Sequence, residues 1–415
     1  MRVITDLHLH SKWSRSCSSQ LTLPNIAQAC ERKGINLVGT SDAFHPAWRQ
    51  DISSELKEAG PGVFELKDGS SPTKFLLSTE ISCIYKKGDK TRRVHHVILF
   101  PSLAALDRLI NALTARGYNL KSDGRPIVGL GSEELIKMVL DADPACLLIP
   151  AHVWTPWFSV FGSKSGFNSI EECFGDMSQH VYALETGLSS DPAMNWRCSQ
   201  LDKFFLVSNS DAHSLEKLGR EANVFEMESV TYPNLRRILV EHDTTKFLMT
   251  IEFFPEEGKY HADGHRDCGY WCAPEQTKKM HGVCPKCGKP LTVGVLNRVS
   301  ELADREPNPP KPPKAAAFVS AIPLIEVVAG VLEVGVSSKR VELEMNRIRQ
   351  SGKTEFEILL SLDQDELARA TSQEIAFAIM AMRRGEVEAR PGYDGEFGII
   401  KPRITSKKPE QKILL

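Results

Sequence analysis

The chain has 415 residues, 41% hydrophobic and 25% charged, with a formal net charge of −2. That length is too great for one ordinary domain and suits two or three, and the composition excludes a disordered chain. The near-neutral balance excludes a global basic field toward nucleic acid or membrane, and the longest apolar run, Ala321 to Val336, is interrupted by Glu326 and Glu333, which argues against a membrane span.

The opening residues, Met1 to Asp6, form no charged-then-apolar leader, so no secretion is expected. Arg2 to Thr5 reads as a short strand. Thr22 to Lys33 has helical spacing, with Pro24 in its first turn and Gly34 behind it. Short apolar runs follow at Leu37–Thr40, Phe75–Ser78, Val97–Phe100, Leu147–Pro150, Val181–Leu184 and Phe204–Val207. Helical stretches lie between several of them, such as Leu103 to Arg116, ended by Gly117. Alternating strands and helices predict an α/β fold, with a parallel sheet or a barrel. From Lys259 to Lys314 the chain turns basic, with 10 basic and 6 acidic side chains, and it carries four of the ten cysteines. Residues 303–314 hold five prolines and read as a stiff linker. Beyond it Ser337 or Ser338, and later Ser372, can cap helices. The expected parts are therefore 1–258, 259–302, the linker 303–314, a helical region 315–402 and a basic tail 403–415.

Chemistry-bearing residues recur at the ends of the predicted strands. They are Asp6, His8 and His10, then Asp42 and His45, then Glu80, His95 and His96, then His152, Glu185, and lastly Asp211 and His213. Strand alternation would put Asp6, His8 and His10 on one face. It also forbids His95 and His96 from both pointing inward, and His96, next to the apolar run, is preferred. His180 and His242 match no cluster and are expected to be structural. Imidazole and carboxylate together suit Zn, Mn or Fe, and this many ligands exceeds what one ion can use. Two-metal sites favour hydrolysis of a phosphate ester by a bound water.

These residues resemble the PHP (polymerase and histidinol phosphatase) superfamily over residues 1 to about 250. The resemblance implies a distorted (β/α)7 barrel with up to three metal ions. Ser14, Ser16 and Cys17 stand where that family's first motif has a third histidine. The second motif reads Gly39-Thr40-Ser41-Asp42-Ala43-Phe44-His45, which leaves Asp42, His45 or both as ligands.

In the basic segment, Cys284-Pro285-Lys286-Cys287-Gly288 has the spacing of a zinc knuckle. Cys268, Cys284 and Cys287 are the expected ligands of a structural zinc. Cys272 is favoured over His265 as the fourth. Lys286 and Lys289 beside it are candidates for phosphate contact.

Ala151 to Phe174, Gly187 to Ala222, the zinc segment through Leu296, and Pro391 to Gly398 together resemble endonuclease Q, a DNA-repair branch of the PHP superfamily. The resemblance spans nearly the whole chain. It implies an endodeoxyribonuclease that cuts 5′ of deaminated bases (uracil, hypoxanthine, xanthine) and of abasic sites, using Zn2+, with Mg2+ or Mn2+ as further activating ions. It implies Asp6, His8, His10, Glu80, His152, Asp211 and His213 as catalytic residues. His8, His10, Asp42, His45, Glu80, His96, His152, Glu185, Asp211 and His213 are the candidate ligands of the catalytic ions. Trp154, Trp157, Arg220, Tyr393 and Phe397 join Lys286 and Lys289 as candidate DNA contacts. The partner would be damaged DNA in the cytoplasm, at the nucleoid, and contact with a replication or repair clamp is left open. Two alternatives stand beside it: a small-molecule phosphoesterase of PHP type, and a non-enzymatic DNA-binding protein with structural metals.

Overall fold

A computed structural model describes residues 1–403, so all of the expected basic tail except Arg403 lies outside the described residues. Helix Leu23–Lys33 begins with proline in its first turn and ends at Gly34, whose left-handed backbone turns its N–H back onto Cys30 O. Ser102, Ser338 and Ser372 cap helices Leu103–Ala115, Lys339–Arg349 and Gln373–Arg383, each accepting from a backbone N–H in the first turn. Among the described residues no helix is long and apolar enough to cross a membrane.

The fold is mixed α/β with a helical C-terminal region. One sheet has eight strands, in the order Ala317–Ser320, Phe247–Glu252, Ala222–Glu226, Arg2–Asp6, Leu37–Gly39, Lys74–Leu76, Val63–Leu66, Leu56–Gly60. A second has four: Ile127–Val128, Ser78–Lys87, Lys90–Leu99 and Leu147–Pro150. Ala183–Glu185 and Phe205–Val207 form a parallel pair. Several pairings are antiparallel, including Arg2–Asp6 with Ala222–Glu226 and Ser78–Lys87 with Lys90–Leu99. The expectation of a regular strand–helix alternation does not describe this part. Residues 78 to 99 form one hairpin of two ten-residue strands, where the sequence suggested two short runs.

Gly39 sits where the second strand crosses the first strand's exit. A Cβ there would lie 2.4 Å from Leu7 O, so only glycine lets residues 7–10 pack down. The C-terminal region is not a detached domain. Strand Ala317–Ser320 extends the large sheet in parallel with Phe247–Glu252. Helices Leu324–Leu332 and Gln373–Arg383 bury Val327, Val328, Ile375 and Ile379 in the same core as Leu9, Ile26 and Leu184. A closing hairpin, Val387–Arg390 with Ile399–Pro402, interrupts the expected helical content.

Candidate metal centre

The centre is assembled where strands end. Strand Arg2–Asp6 runs out into Leu7–His10. The chain then turns sharply at Ser41, Asp42, His152 and Asp211, all of which hold positive φ (47°, 46°, 31° and 45°). Non-glycine residues adopt this conformation at a cost of roughly 1–3 kcal/mol each, and such strain collects at functional sites.

His8 Nδ1 faces the Glu185 carboxylate at 3.0 and 3.1 Å, and His10 Nδ1 faces Asp42 Oδ1 at 3.0 Å. Each ring is thereby turned so that Nε2 points into a common space. His10 Nε2 lies 3.1 Å from Asp211 Oδ1 and 3.2 Å from Glu80 Oε2, and His8 Nε2 lies 3.8 and 3.5 Å from the same two atoms. Beside this group is a second. Glu80 Oε1 is 2.6 Å from His95 Nδ1 and 3.3 Å from His152 Nε2. Within each group the ligand atoms all lie within 4.8 Å of one another. Glu80 belongs to both, one oxygen to each.

The donor set fits metal ions. His8 Nε2, His10 Nε2, His95 Nδ1 and Asp211 Oδ1 are buried with no hydrogen-bond partner, although they lie so close together. They converge on points between them rather than aiming at each other. Buried polar atoms are otherwise almost always paired. Mixed imidazole and carboxylate donors match Zn, Mn or Fe.

Burial opposes charging His8 and His10. The carboxylates of Glu185 and Glu80 outweigh it for His8, and those of Asp42, Asp211 and Glu80 do so for His10, so both are raised well above the usual imidazole pKa. Burial likewise opposes ionising Glu80 and Asp211, but Glu80 is held far down by His95, Arg125 and His8, and Asp211 by His10 and His8. A cation would compete with the ring protons for the same nitrogens. Burial drives His95 down to about 4, which leaves it neutral at pH 7.

The other expected ligands fall around this centre. Asp42 and Glu185 touch the outer nitrogens of His10 and His8; Glu185 also accepts from His152 N and Asn209 Nδ2. They orient imidazoles rather than converging with the ligand atoms. His213 lies against His10, ring centroids 4.6 Å apart, with Nδ1 donating to Asp211 O. Asp6 points away: its oxygens accept from Ser210 N and Gly219 N, tying the first strand to the loop that carries Asp211. His45 begins helix Pro46–Glu55, stacks on Trp13 and donates to Lys121 O.

His96 is also outside, and His95 takes the inward position. Directly opposed residues of an antiparallel pair share a face. Ser82 opposes His95 and Ile81 opposes His96, so His95 shares the face of Ser82 and Glu80. His96 instead bonds Ser132 Oγ at 2.9 Å and packs on Phe174. His180 ends a short 3-10 helix, and His242 packs on Phe205 and donates to Lys314 O, both away from the centre.

A cavity of about 390 Å³ opens beside the second group, lined by His95, Arg125, His152, Trp157, Phe158 and Asp211. Arg125 Nη1 is 3.1 Å from Glu80 Oε2. No local motif marks Arg125, a lone arginine in a loop. Trp157 is 38% exposed at the rim, edge-on to Tyr260. Trp154 is core: it is buried, packs on Phe161 and donates to Asn195 Oδ1. Tyr393 is likewise buried, whereas Phe397 is 71% exposed beneath Lys259 Nζ. Arg220 spends its guanidinium on Ser210 O and Asp211 O, holding the loop and presenting no free fork.

A separate group joins His265, Cys268, Cys284 and Cys287. Cys272, the expected fourth ligand, is outside it, buried against Thr277 Oγ1 at 3.2 Å. The hairpin Asp263–His265 with Tyr270–Cys272 pairs Asp263 with Cys272 and His265 with Tyr270. His265 is two residues from Asp263 and Cys272 two from Tyr270, while the short turn between swings Cys268 back toward the knuckle. Lys286 Nζ donates to Cys268 O beside this group, and Lys289 is exposed.

Residues 323–386 match the family model described as the MJ0043 C-terminal domain. The YqxK protein of Bacillus subtilis is 31% identical over 418 residues, covering 97% of this chain and 100% of that one. The crystal structure of the lesion-specific endonuclease PfuEndoQ from Pyrococcus furiosus is similar at a TM-score of 0.86 and 32% identity, over 97% of this chain and 95% of that one. An endonuclease Q bound to a 27-mer duplex with an abasic lesion at the active site is similar at a TM-score of 0.85 and 32% identity, over 99% of this chain and 100% of that one. With likeness over nearly the whole of both chains, the chain belongs to the endonuclease Q family.

Proposed function

We propose that the chain is a metal-dependent DNA-repair endonuclease that hydrolyses the phosphodiester 5′ of deaminated bases (uracil, hypoxanthine, xanthine) and of abasic sites. The observation that carries this reading is the pair of ligand groups sharing Glu80 beside an aromatic-rimmed cavity. The complex of a relative, matched over its whole chain, with abasic DNA supports the substrate class. We read the converging strand ends as the mouth of a distorted barrel of PHP type.

His8, His10, Glu80, Asp211, His95 and His152 would hold the ions, which are Zn2+, Mn2+ or Fe in this reading, with Mg2+ or Mn2+ added for activity. Ions there supply Lewis acidity to a phosphate oxygen and lower the pKa of a bound water. Glu185 and Asp42 keep the imidazoles of His8 and His10 turned inward. Burial lowers the pKa of His213, and with Nδ1 donated to Asp211 O its Nε2 is free to take a proton. Arg125 reaches the cavity with its guanidinium and can meet a phosphate oxygen. Trp157 and Phe158 offer faces for stacking. A damaged or mispaired base costs less to unstack, and this favours entry of a lesion over a normal pair. Zn2+ in the His265, Cys268, Cys284, Cys287 group would act as a staple for a segment too small to fold on its own core. The enzyme would act on chromosomal DNA in the cytoplasm.

The test is a nicking assay on labelled duplexes carrying one deoxyuridine, one deoxyinosine, one abasic site or no lesion. A cut 5′ of the lesion only, lost with chelator and in His8→Ala, is expected. No cut on any lesion by fully metal-loaded protein would overturn the reading and turn attention to small phosphorylated substrates.

A further inference from the structure

Two segments away from the catalytic residues are rich in positive charge or small residues: Lys86-Lys87-Gly88-Asp89-Lys90-Thr91-Arg92-Arg93 and Gly162-Ser163-Lys164-Ser165-Gly166. The first is the tip of the long hairpin, and the second is the far end of the loop that begins at His152. They meet along a groove of about 680 Å³ whose lining includes Lys90, Arg92, Arg93, Lys164 and Arg298. In a chain with a net charge of −2, five cations in one groove are a local departure.

The groove is built. Arg298 donates to Phe161 O, Phe167 O and Asn168 Oδ1, which fixes the loop from below. Arg92 lies over the Phe167 ring at 4.1 Å and donates to Gly166 O. The loop is tight, since a Cβ on Gly166 would fall 2.4 Å from Gly162 N. The two acids of the lining are already committed: Glu301 to Arg298 at 2.8 Å, and Glu172 to the backbone N–H of Asn168 at 2.6 Å. Lys90, Arg93 and Lys164 thus face the groove without an acidic partner in it. A second observation concerns the hairpin tip. Lys87 stands directly opposite Lys90, a like-charge pairing that weakens a hairpin. Lys87 is held by Glu172 O and lies over the Phe167 ring, so Lys90 is the member of the pair left facing the groove.

The groove lies alongside the candidate cavity on the same strand, although the two share no lining residue. Arg93 and His95 are two residues apart on one strand and share a face, about 7 Å apart along it. Lys90 lies roughly 17 Å from His95 by the same spacing. The loop joins the two regions on the other side, with Trp157 at the cavity and Lys164 in the groove.

We infer that this groove carries the sugar–phosphate backbone of the DNA as it leaves the catalytic cavity, with Arg93 and Lys164 as its principal phosphate contacts. The inference rests on the repair-endonuclease reading and adds the path of the substrate. Phosphate contacts of this kind fix position without reading sequence, so the groove would serve any sequence around a lesion.

The test is fluorescence anisotropy of an abasic-site duplex across a salt series, with full-length protein in an Asp211→Asn background that keeps the strand intact. Arg93→Ala and Lys164→Ala are each expected to raise Kd about three- to tenfold at 150 mM salt. Each should lower the slope of log Kd against log salt by about 1. Lys57→Gln, an exposed lysine on strand Leu56–Gly60, serves as the charge control and should do neither. Lys164 is exposed in a loop, so its variant keeps the test meaningful if Arg93→Ala fails to fold. Unchanged Kd and slope in Lys164→Ala would overturn the groove assignment. Nicking by the unsubstituted protein is scored separately, so loss of the repair reading and loss of the groove are told apart.

Discussion

Replacing His95 and His96 one at a time separates two adjacent, buried histidines that the register assigns to opposite faces. His95 contributes one of three ligand atoms in the second group, 2.6 Å from Glu80 Oε1. Losing even a residue that only orients a ligand costs about 10- to 100-fold in metal affinity or activity. His95→Ala removes the ligand itself and is expected to exceed that loss, with one equivalent of metal missing by mass spectrometry. Its fold should survive, because the cavity on that face can admit water. His96 has the opposite profile. It is fully buried, bonds Ser132 Oγ at 2.9 Å and packs on Phe174. His96→Ala opens a void and leaves the Ser132 hydroxyl with Tyr85 Oη as its remaining partner, at a cost of about 2–4 kcal/mol. The expected result is full metal content, near-normal nicking at low temperature and a clearly lower Tm. Metal loss in His96→Ala with retention in His95→Ala would refute the register argument and the grouping built on it.

Three further outcomes are expected. His265→Ala should lose the metal of the His265, Cys268, Cys284, Cys287 group, while Cys272→Ala keeps it; the reverse pattern in metal analysis of the purified variants would disprove that grouping. Trp157→Ala should weaken binding of a lesion duplex by about 1–3 kcal/mol with little change in Tm, whereas Trp154→Ala should lower stability by about 3–5 kcal/mol. Burial pushes Glu252 up to about 8, so the folded state holds its proton while the unfolded chain releases it above about 4.5. The folded state then binds more protons across that window, and stability from this group falls as pH rises from about 4.5 to about 8. Glu252→Gln keeps an acceptor for Thr186 and Ser208 and should gain Tm over the unsubstituted protein progressively toward pH 8; a constant difference across pH would count against this.

Much of the centre was legible because its residues stand at strand ends, and strand ends can be read from apolar runs. His8, His10, Glu80, His152 and Asp211 were all named on that basis, and the structure brings them together. What escaped depends on register and direction. Nothing in the local sequence says that Ser82 rather than Ile81 will oppose His95, and an apolar neighbour misdirected the choice to His96. Asp6 obeys strand alternation in spacing, yet the chain leaves its strand at Leu7, and the carboxylate turns to backbone N–H groups instead. Cys272 is preferred to His265 by a small margin although His265 has the tighter knuckle spacing to Cys268, and the three-residue 3-10 turn at Arg266–Cys268 goes with the His265 grouping. Arg125 comes from a loop with no motif. The helices with serine caps and glycine stops were read nearly to the residue, since those signals are local.

The strand Ala317–Ser320 also bears on how this protein can be cut or rearranged. It is the outermost member of the large sheet, in register from Met249 with Ala317 to Glu252 with Ser320. Cleavage in the proline-rich segment before it would leave Phe247–Glu252 as a bare edge, its outward N–H and C=O groups open to any passing strand. The half that carries the candidate metal centre, made alone, should therefore be sticky, and a version ending after Ser320 better behaved. Exchange of the helical region between relatives would have to carry this strand along, so the seam for grafting lies within residues 303–316 rather than at the start of the helices.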